Sequence, residues 1–302
     1  MPYARLIVNP MAGAGKAARK WPQIASLLRS LGLRFDHVMT EAPGHASELA
    51  RAAARLGYEL VVAVGGDGTI NEIINGLYDS GEIGQVTLGI ISTGTGSDYI
   101  RTLGIPSRYP ESCRCLLNPQ KITVDLGVVE YSCGGQTLKR LFANFAGIGF
   151  DAEVVRMTRQ TFKSLGALPA YLMGLLTTLV CYRNRPVTLN YNGRVEERKL
   201  CSIIMSHGRY GGGSMLIAPH ADPIDGLFDI VIIDDLSKPD LLWSLPKVYR
   251  GTHLNHPKVT VQRTSEIEIS AEHRMAVQAD GEFLGETPAR FSVLPAALNV
   301  SV

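Results

Sequence analysis

Apolar residues in the first part of the chain follow two rhythms that take turns. An unbroken run at residues 60–64 and largely apolar runs at 4–8 and 86–91 suit strands of a parallel sheet, with 60–64 and 86–91 buried on both faces. Between them the apolar positions spread to helical intervals. Ile70, Ile73, Ile74 and Leu77 fall on one helix face, and Ala46, Leu49, Ala50, Ala53 and Leu56 form a second stripe with Arg51 and Arg55 off it. A further helix is predicted over 21–31 and a strand over 35–38. This is the alternation of βαβ units. Past a strand at 121–127 it stops. From Leu138 strands dominate, beginning with 187–191 and its partner across an Asn192-Gly193 turn, then 228–233, 259–263, 267–270 and 275–279. Their natural packing is a β-sandwich. A chain of 302 residues has room for two domains, and the change of rhythm predicts them at 1–128 (α/β, parallel sheet) and 129–302 (β-sandwich).

The joints between runs and stripes hold the candidate chemistry. The 60–64 run stops at Gly65-Gly66-Asp67-Gly68-Thr69, and the helical stripe begins at Ile70. Thr69 and Glu72 stand at capping-box spacing, which predicts a helix start at Thr69. A loop so free of side chains can close its N–H groups on a phosphate at the positive end of the helix, or be only a turn. Asp67 would repel a phosphate unless a divalent cation lay between them, so the phosphate reading points to a metal-nucleotide. A second glycine-bearing loop, Asn9-Pro10-Met11-Ala12-Gly13-Ala14-Gly15-Lys16, is not a Walker A motif. Pro10 and Ala17 stand where that motif needs glycine and Ser or Thr. Lys16 is either a phosphate ligand or a solvated lysine at a helix start. Thr40 ends a predicted strand, where open α/β sheets put ligands. After 86–91 comes another loop of small residues, Ser92-Thr93-Gly94-Thr95-Gly96-Ser97-Asp98.

Composition narrows the classes. Hydrophobic residues make up 45% and charged ones 19%, a globular balance, and a net charge of +2 with no block of like charge argues against nucleic acid. Five cysteines, odd in number and without CxxC spacing, suggest neither a disulfide framework nor a zinc site. With an apolar start too short for a signal peptide, this predicts a cytoplasmic protein. Between Lys163 and Arg183 no residue is charged, a length near the ~20 residues of a membrane span. Pro169, Gly166 and Gly174 weaken that reading, and basic residues flank both ends (Arg156, Arg159, Lys163; Arg183, Arg185). The apolar helix expected over 165–180 is either buried, or packed in part while lining an apolar mouth, with the arginines meeting anionic lipid heads. Asp222 and Asp225 form an acidic turn that either stays on the surface or grips a hard cation with a main-chain oxygen. Asp280-Gly281 is a hairpin-turn signal.

Gly65-Gly66-Asp67-Gly68-Thr69 followed by Glu72 resembles the nucleotide loop of the diacylglycerol kinase and sphingosine kinase superfamily, to which NAD kinases and 6-phosphofructokinases carry related loops. Gly94, Thr95, Gly96, Asp98 and Arg101 match the family's next loop, while Ser97 replaces its usual Asn. The stretches 144–151, Gly211-Gly212-Gly213 through Ala218-Pro219, and 225–229 follow in the order found in bacterial soluble diacylglycerol kinase-like proteins. The resemblance spans nearly the whole chain.

It implies a Rossmann-like nucleotide-binding domain followed by a β-sandwich lipid domain, in an ATP-dependent kinase using magnesium (Mg2+) to phosphorylate a lipid hydroxyl. Diacylglycerol, giving phosphatidic acid, is the first choice. Phosphatidylglycerol or a sphingoid base as acceptor, an NAD kinase, and a non-catalytic nucleotide-binding regulator are the alternatives, and Ser97 invites the last. Such an enzyme is cytoplasmic and visits the membrane surface, and a homodimer is compatible with it. Nucleotide contacts are implied for Asn9, Lys16, Thr40, Gly65, Gly66, Asp67, Gly68, Thr69, Asn71, Glu72, Gly94, Thr95 and Asp98. A structural magnesium is implied at Asp222, Asp225 and the Leu227 carbonyl. Glu282 is the implied base, with Asp67 its rival, and Asp67 and Asp98 are cast as magnesium-side carboxylates.

Overall fold

The computed structural model describes residues 3–117, 120–160 and 167–302, which group into two units. The first takes the chain up to Leu126 together with Gly212–Ser214 and Pro295–Val302. Its elements alternate: β1 (Ala4–Val8), α1 (Ala12–Ser30), β2 (Phe35–Met39), α2 (His45–Arg55), β3 (Leu60–Gly65), α3 (Asp67–Ser80), β4 (Thr87–Ser92), α4 (Asp98–Leu103) and α5 (Tyr109–Cys115). The strands lie in the order β2-β1-β3-β4, each pair parallel. Every residue of β3 is buried, as an unbroken apolar run requires. Leu6, Val8, Val62 and Val64 share a core with Trp21, Ile24 and Leu28 of α1 and Cys113 of α5. On the alternate residues α3 packs against β3, and α2 packs against α3. At that helix crossing a Cβ on Gly76 would stand 2.1 Å from the Ser47 carbonyl oxygen, so only glycine fits.

Helix α3 begins at Asp67, with Gly66 as N-cap and no side-chain cap bond, and not at Thr69. The expected capping box does not form because Glu72 reaches out of its own helix. Its Oε2 accepts the Ala46 N–H at 3.2 Å, at the start of α2.

The second unit holds β5 (Lys121–Cys133), which starts in the first, then β6 (Gln136–Phe142), β7 (Phe145–Gly149), α6 (Phe150–Gln160), α7 (Ala167–Cys181), β8 (Arg185–Tyr191) and β9 (Arg194–Ser206). A short pair, β10 (Tyr210–Gly211) and β11 (Met215–Leu216), precedes β12 (Phe228–Asp234), α8 (Lys238–Val248), β13 (Val259–Thr264), β14 (Glu266–Ser270), β15 (Ala276–Ala279) and β16 (Glu282–Ser301). The expected sandwich appears as an antiparallel, sandwich-like domain with a barrel-like closure. Strands β9, β7, β15, β16, β14 and β8 pair in succession, and β8 returns to β9. Closure follows from two long strands that each pair with different partners at their two ends, which removes free edges. Phe142, Phe228 and Phe291 meet at the centre of the core, alongside Ile148, Met205 and Leu189.

Pro295–Val302 leaves this unit, and Asn299 and Val300 of β16 pair in parallel with β4 of the first. The sequence reading assigned all residues after 128 to the second domain. A single apolar strand that follows a hairpin carries no local sign of the sheet that will receive it. Lys163 and the 165–166 start of the expected apolar helix, along with the Arg159 side chain, lie outside the described residues. No helix among the described residues is long and apolar enough to cross a membrane.

Candidate active site

Each of the strands β1 to β4 ends at residues marked in the sequence. Asn9 follows β1, Thr40 follows β2, the 65–69 loop leaves β3 and the 92–98 loop leaves β4. All lie at the carboxyl edge of the sheet, and strand order reverses between β1 and β3, the switch point at which open α/β sheets bind ligands. The loops touch backbone to backbone. A Cβ on Gly94 would lie 2.6 Å from the Gly66 Cα, and one on Gly13 would lie 2.3 Å from the Thr93 carbonyl oxygen. A Cβ on Gly65 would lie 2.5 Å from Thr69 Oγ1, the atom that accepts a hydrogen bond from Asn9 Nδ2 at 2.9 Å. Gly68 differs, because a Cβ there would meet nothing within 4 Å. Thr95 is exposed on the same set of loops, and the Thr40 N–H is fixed to the Val8 carbonyl at 2.9 Å. Lys16 stands exposed just after three left-handed residues, Gly13, Ala14 and Gly15, with no ion pair among the described residues.

The polar side chains of these loops are turned largely on protein partners. Asp67 accepts the Tyr99 N–H at 3.2 Å and the Asp98 N–H at 3.3 Å. Burial of its carboxyl raises the Asp67 pKa and the nearby Asp98 charge adds to this, while the backbone hydrogen bonds oppose. Asp98 accepts from Gly213 N at 2.8 Å, Ser214 N at 2.7 Å and Arg101 Nη1 at 3.2 Å. It therefore anchors the Gly212–Ser214 segment. Asn71 is buried and its Oδ1 accepts from Asn75, while Glu72 caps α2. Ser97, where the resembling family has Asn, sits in the left-handed region (φ 57°) that Asn tolerates best, and its hydroxyl bonds Ser92 Oγ at 2.7 Å.

Glu282 opens β16 in the second unit, just past a turn whose residues Asp280 (φ 46°) and Gly281 (φ 76°) are both left-handed. The Asp280 carboxylate accepts three successive N–H groups, of Ala143, Asn144 and Phe145, at 2.8, 3.0 and 3.1 Å. Gln278 Oε1 accepts the Gly281 N–H at 3.0 Å. The turn is thus fixed from both sides, and Glu282 Oε2 meets Arg140 Nη2 at 3.1 Å, with both side chains half-buried. Sequence reading missed Asp280 as an anchor and Arg140 as a partner. Their counterparts lie some 140 residues away along the chain, and only the Asp-Gly turn signal is local. Nearby, burial of the Asp151 carboxyl raises its pKa, opposed by hydrogen bonds from Ser202 Oγ (2.5 Å) and Gln278 Nε2 (3.0 Å).

The oxygens of the 222–227 turn are already engaged within the protein. Asp222 Oδ1 accepts the Ile224 N–H at 3.2 Å, and Asp225 Oδ1 accepts the Leu227 N–H at 3.0 Å. Asp225 Oδ2 is paired with Arg263, whose Nε reaches the buried Asp229 at 3.2 Å. Among the described residues, no group of three or more His, Cys, Asp or Glu side chains could hold a metal ion. The donors as arranged do not fit a bound cation, because Arg263 already supplies the positive charge.

Comparison with known proteins agrees with this geometry. Residues 3–129 match the diacylglycerol kinase catalytic domain, and residues 144–302 match the YegS C-terminal NAD kinase beta sandwich-like domain. The chain is 29% identical over 293 residues to a diacylglycerol kinase of Bacillus subtilis (strain 168), covering 96% of this chain and 93% of that one. A diacylglycerol kinase of Mycobacterium tuberculosis (strain ATCC 25618 / H37Rv) is 29% identical over 296 residues, with 97% and 93% covered. A crystal structure of a proposed diacylglycerol kinase from Bacillus anthracis str. Sterne superposes with a TM-score of 0.78 at 26% identity, over 99% of this chain and 96% of that one. With both domain matches in order over nearly its whole length, the chain belongs to the diacylglycerol kinase-like family of ATP-dependent lipid kinases, with an NAD kinase-like C-terminal domain.

Proposed function

We propose that the chain transfers the γ-phosphoryl group of ATP to the hydroxyl of diacylglycerol, giving phosphatidic acid. The observation that carries this is the meeting of bare backbone loops at the carboxyl edge of one parallel sheet, in a chain of the lipid kinase family. Residues 1–128 serve as a Rossmann-like nucleotide-binding domain and 129–302 as the lipid domain. N–H groups at the start of α3 and in the 92–98 loop face the phosphates, and the exposed Lys16 amine adds a mobile positive charge. Gly68 supports this placement, since packing does not demand a glycine there and the approach of a phosphate does. Asn9, Thr40, Gly65, Gly66, Thr69, Gly94 and Thr95 shape the same floor. Asp67 and Asp98 hold its loops together, and Asn71 and Glu72 hold the helix beneath it.

Magnesium enters as part of the substrate, bound to ATP, and offsets the charge on the transferring group. Glu282 accepts the hydroxyl proton as the new oxygen–phosphorus bond forms and the bond to the bridging β–γ oxygen breaks, releasing ADP. Arg140 keeps the Glu282 carboxylate oriented. Membrane approach uses α7, where Leu172, Met173, Leu176 and Val180 are exposed along one side, with Arg183 exposed just beyond.

A labelled-ATP assay on a panel in mixed micelles tests the proposal, with diacylglycerol, monoacylglycerol, phosphatidylglycerol, a sphingoid base and soluble NAD as acceptors. Phosphatidic acid is the expected labelled product. Label on NAD or on another lipid alone would overturn the acceptor, and ATP binding with no labelled product would make the chain a regulator.

A further inference from the structure

A cavity of about 200 Å3 in the second unit lies against the middle of α6 and the carboxyl end of α7. Its lining is charged and unbalanced. Arg156, Arg183, Arg185 and Arg274 face it against Glu153 and Glu286, leaving two positive charges in excess. Arg156 is paired with Glu153, and Arg274 approaches Glu286 at 4.0 Å. Arg183 and Arg185 both line the cavity and have no ion pair and no side-chain hydrogen bond among the described residues. Guanidinium groups that have no carboxylate partner are the donors that phosphate oxygens accept.

We propose that this cavity binds the phosphate of an anionic phospholipid head group. The choice of a lipid over a free phosphate rests on the lipid kinase reading and on position. Thr178 and Arg183 stand at the carboxyl end of α7, where Leu176 and Val180 are 54% and 71% exposed, so acyl chains leaving the cavity meet an apolar surface. The site is not the one where Glu282 acts. Glu286 of the cavity wall lies four residues further along β16, roughly 13 Å at strand rise. The head group held here therefore belongs to a second lipid molecule, which tethers the protein to a surface that carries phosphate.

The test is calorimetric titration of the whole chain with dihexanoyl phosphatidate below its micellar concentration, with dihexanoyl phosphatidylcholine, glycerol 3-phosphate and inorganic phosphate as companion probes. Wild type should bind the phosphatidate most tightly and the zwitterion least. Arg183→Gln with Arg185→Gln should weaken phosphatidate binding by about tenfold or more. Phosphatidate held at a catalytic site would survive these changes, so equal affinity in the double variant overturns the proposal, as does no binding to wild type. Equal affinity for inorganic phosphate overturns the lipid half of it. Should the double variant fail to fold, the salt dependence of wild-type binding decides, since an affinity unchanged between low and high salt excludes an arginine site. Because no turnover is measured, a failed acceptor panel and a failed titration are separate results.

Discussion

The 65–69 loop and the 280–282 turn carry the two carboxylates that compete for the role of base, and they are held by opposite means. Asp67 spends its oxygens on backbone donors of a neighbouring loop, in surroundings that favour its neutral form. At the turn the division of labour is cleaner. Asp280 takes the backbone donors and fixes the chain, which leaves Glu282 to face a cation, Arg140. A carboxylate that ties two loops together is a strut, and moving it to meet a substrate would undo what it holds. A carboxylate carried on a turn braced by its neighbour can meet a substrate without disturbing the fold.

The largest effect follows directly. Glu282→Gln keeps shape and hydrogen bonding but cannot take a proton, so turnover should fall by about 10²–10⁴-fold with ATP affinity and Tm nearly unchanged. If that variant turns over normally while Asp67→Asn loses turnover and keeps ATP, the two roles are exchanged. Next in size is Gly66→Val. A Cβ at Gly66 already stands 3.2 Å from Gly94 Cα, so the branched side chain must part the loops. Overpacking of this kind is worth about 1–3 kcal/mol, which predicts an ATP affinity roughly tenfold to a hundredfold lower by calorimetry. An unchanged affinity in a folded variant would move the nucleotide elsewhere.

The same contrast explains what could be read in advance. Strands 60–64 and 4–8 and the glycine loops after them were legible because burial and bare backbone leave their mark in consecutive residues. The partners of Asn71 and Glu72 were not, since the same letters serve a ligand or a helix neighbour, and the Asn75 amide and the Ala46 N–H that meet them are placed by the fold. Asp98 had the same ambiguity, and its partners Gly213 and Ser214 lie more than a hundred residues away. Helices α6 and α8 escaped notice, one merging with the apolar stretch after it and the other short and interrupted by Pro246. The barrel-like closure depends on which edges β9 and β16 find, and alternation along a strand does not record that.

Smaller effects sharpen the comparison at two charged pairs. Arg140→Met should lower turnover several-fold by releasing Glu282, yet cost less than about 1 kcal/mol of stability, because a half-exposed pair contributes little. Turnover equal to wild type would show that the turn alone orients the base. At the acidic turn, Arg263 pairs with both Asp225 and Asp229, so a chelator should leave Tm within about 1 °C. A fall of several degrees on chelation would mean that a metal ion displaces Arg263 from Asp225.

The smallest effect separates strut from base by titration. Burial raises the pKa of Asp67 above its unfolded value, so between those two values the folded state binds more protons than the unfolded one. Stability must then fall as pH rises from about 4 through the raised folded pKa, and the contribution is fully present only below that window. Asp67→Asn has no proton to lose. Its stability, followed by denaturant unfolding, should run flatter with pH than wild type across the same window, with the two curves closest at the acid end. If Asp67→Asn keeps the wild-type slope, Asp67 is not the buried strut and the assignment of the base reopens with it.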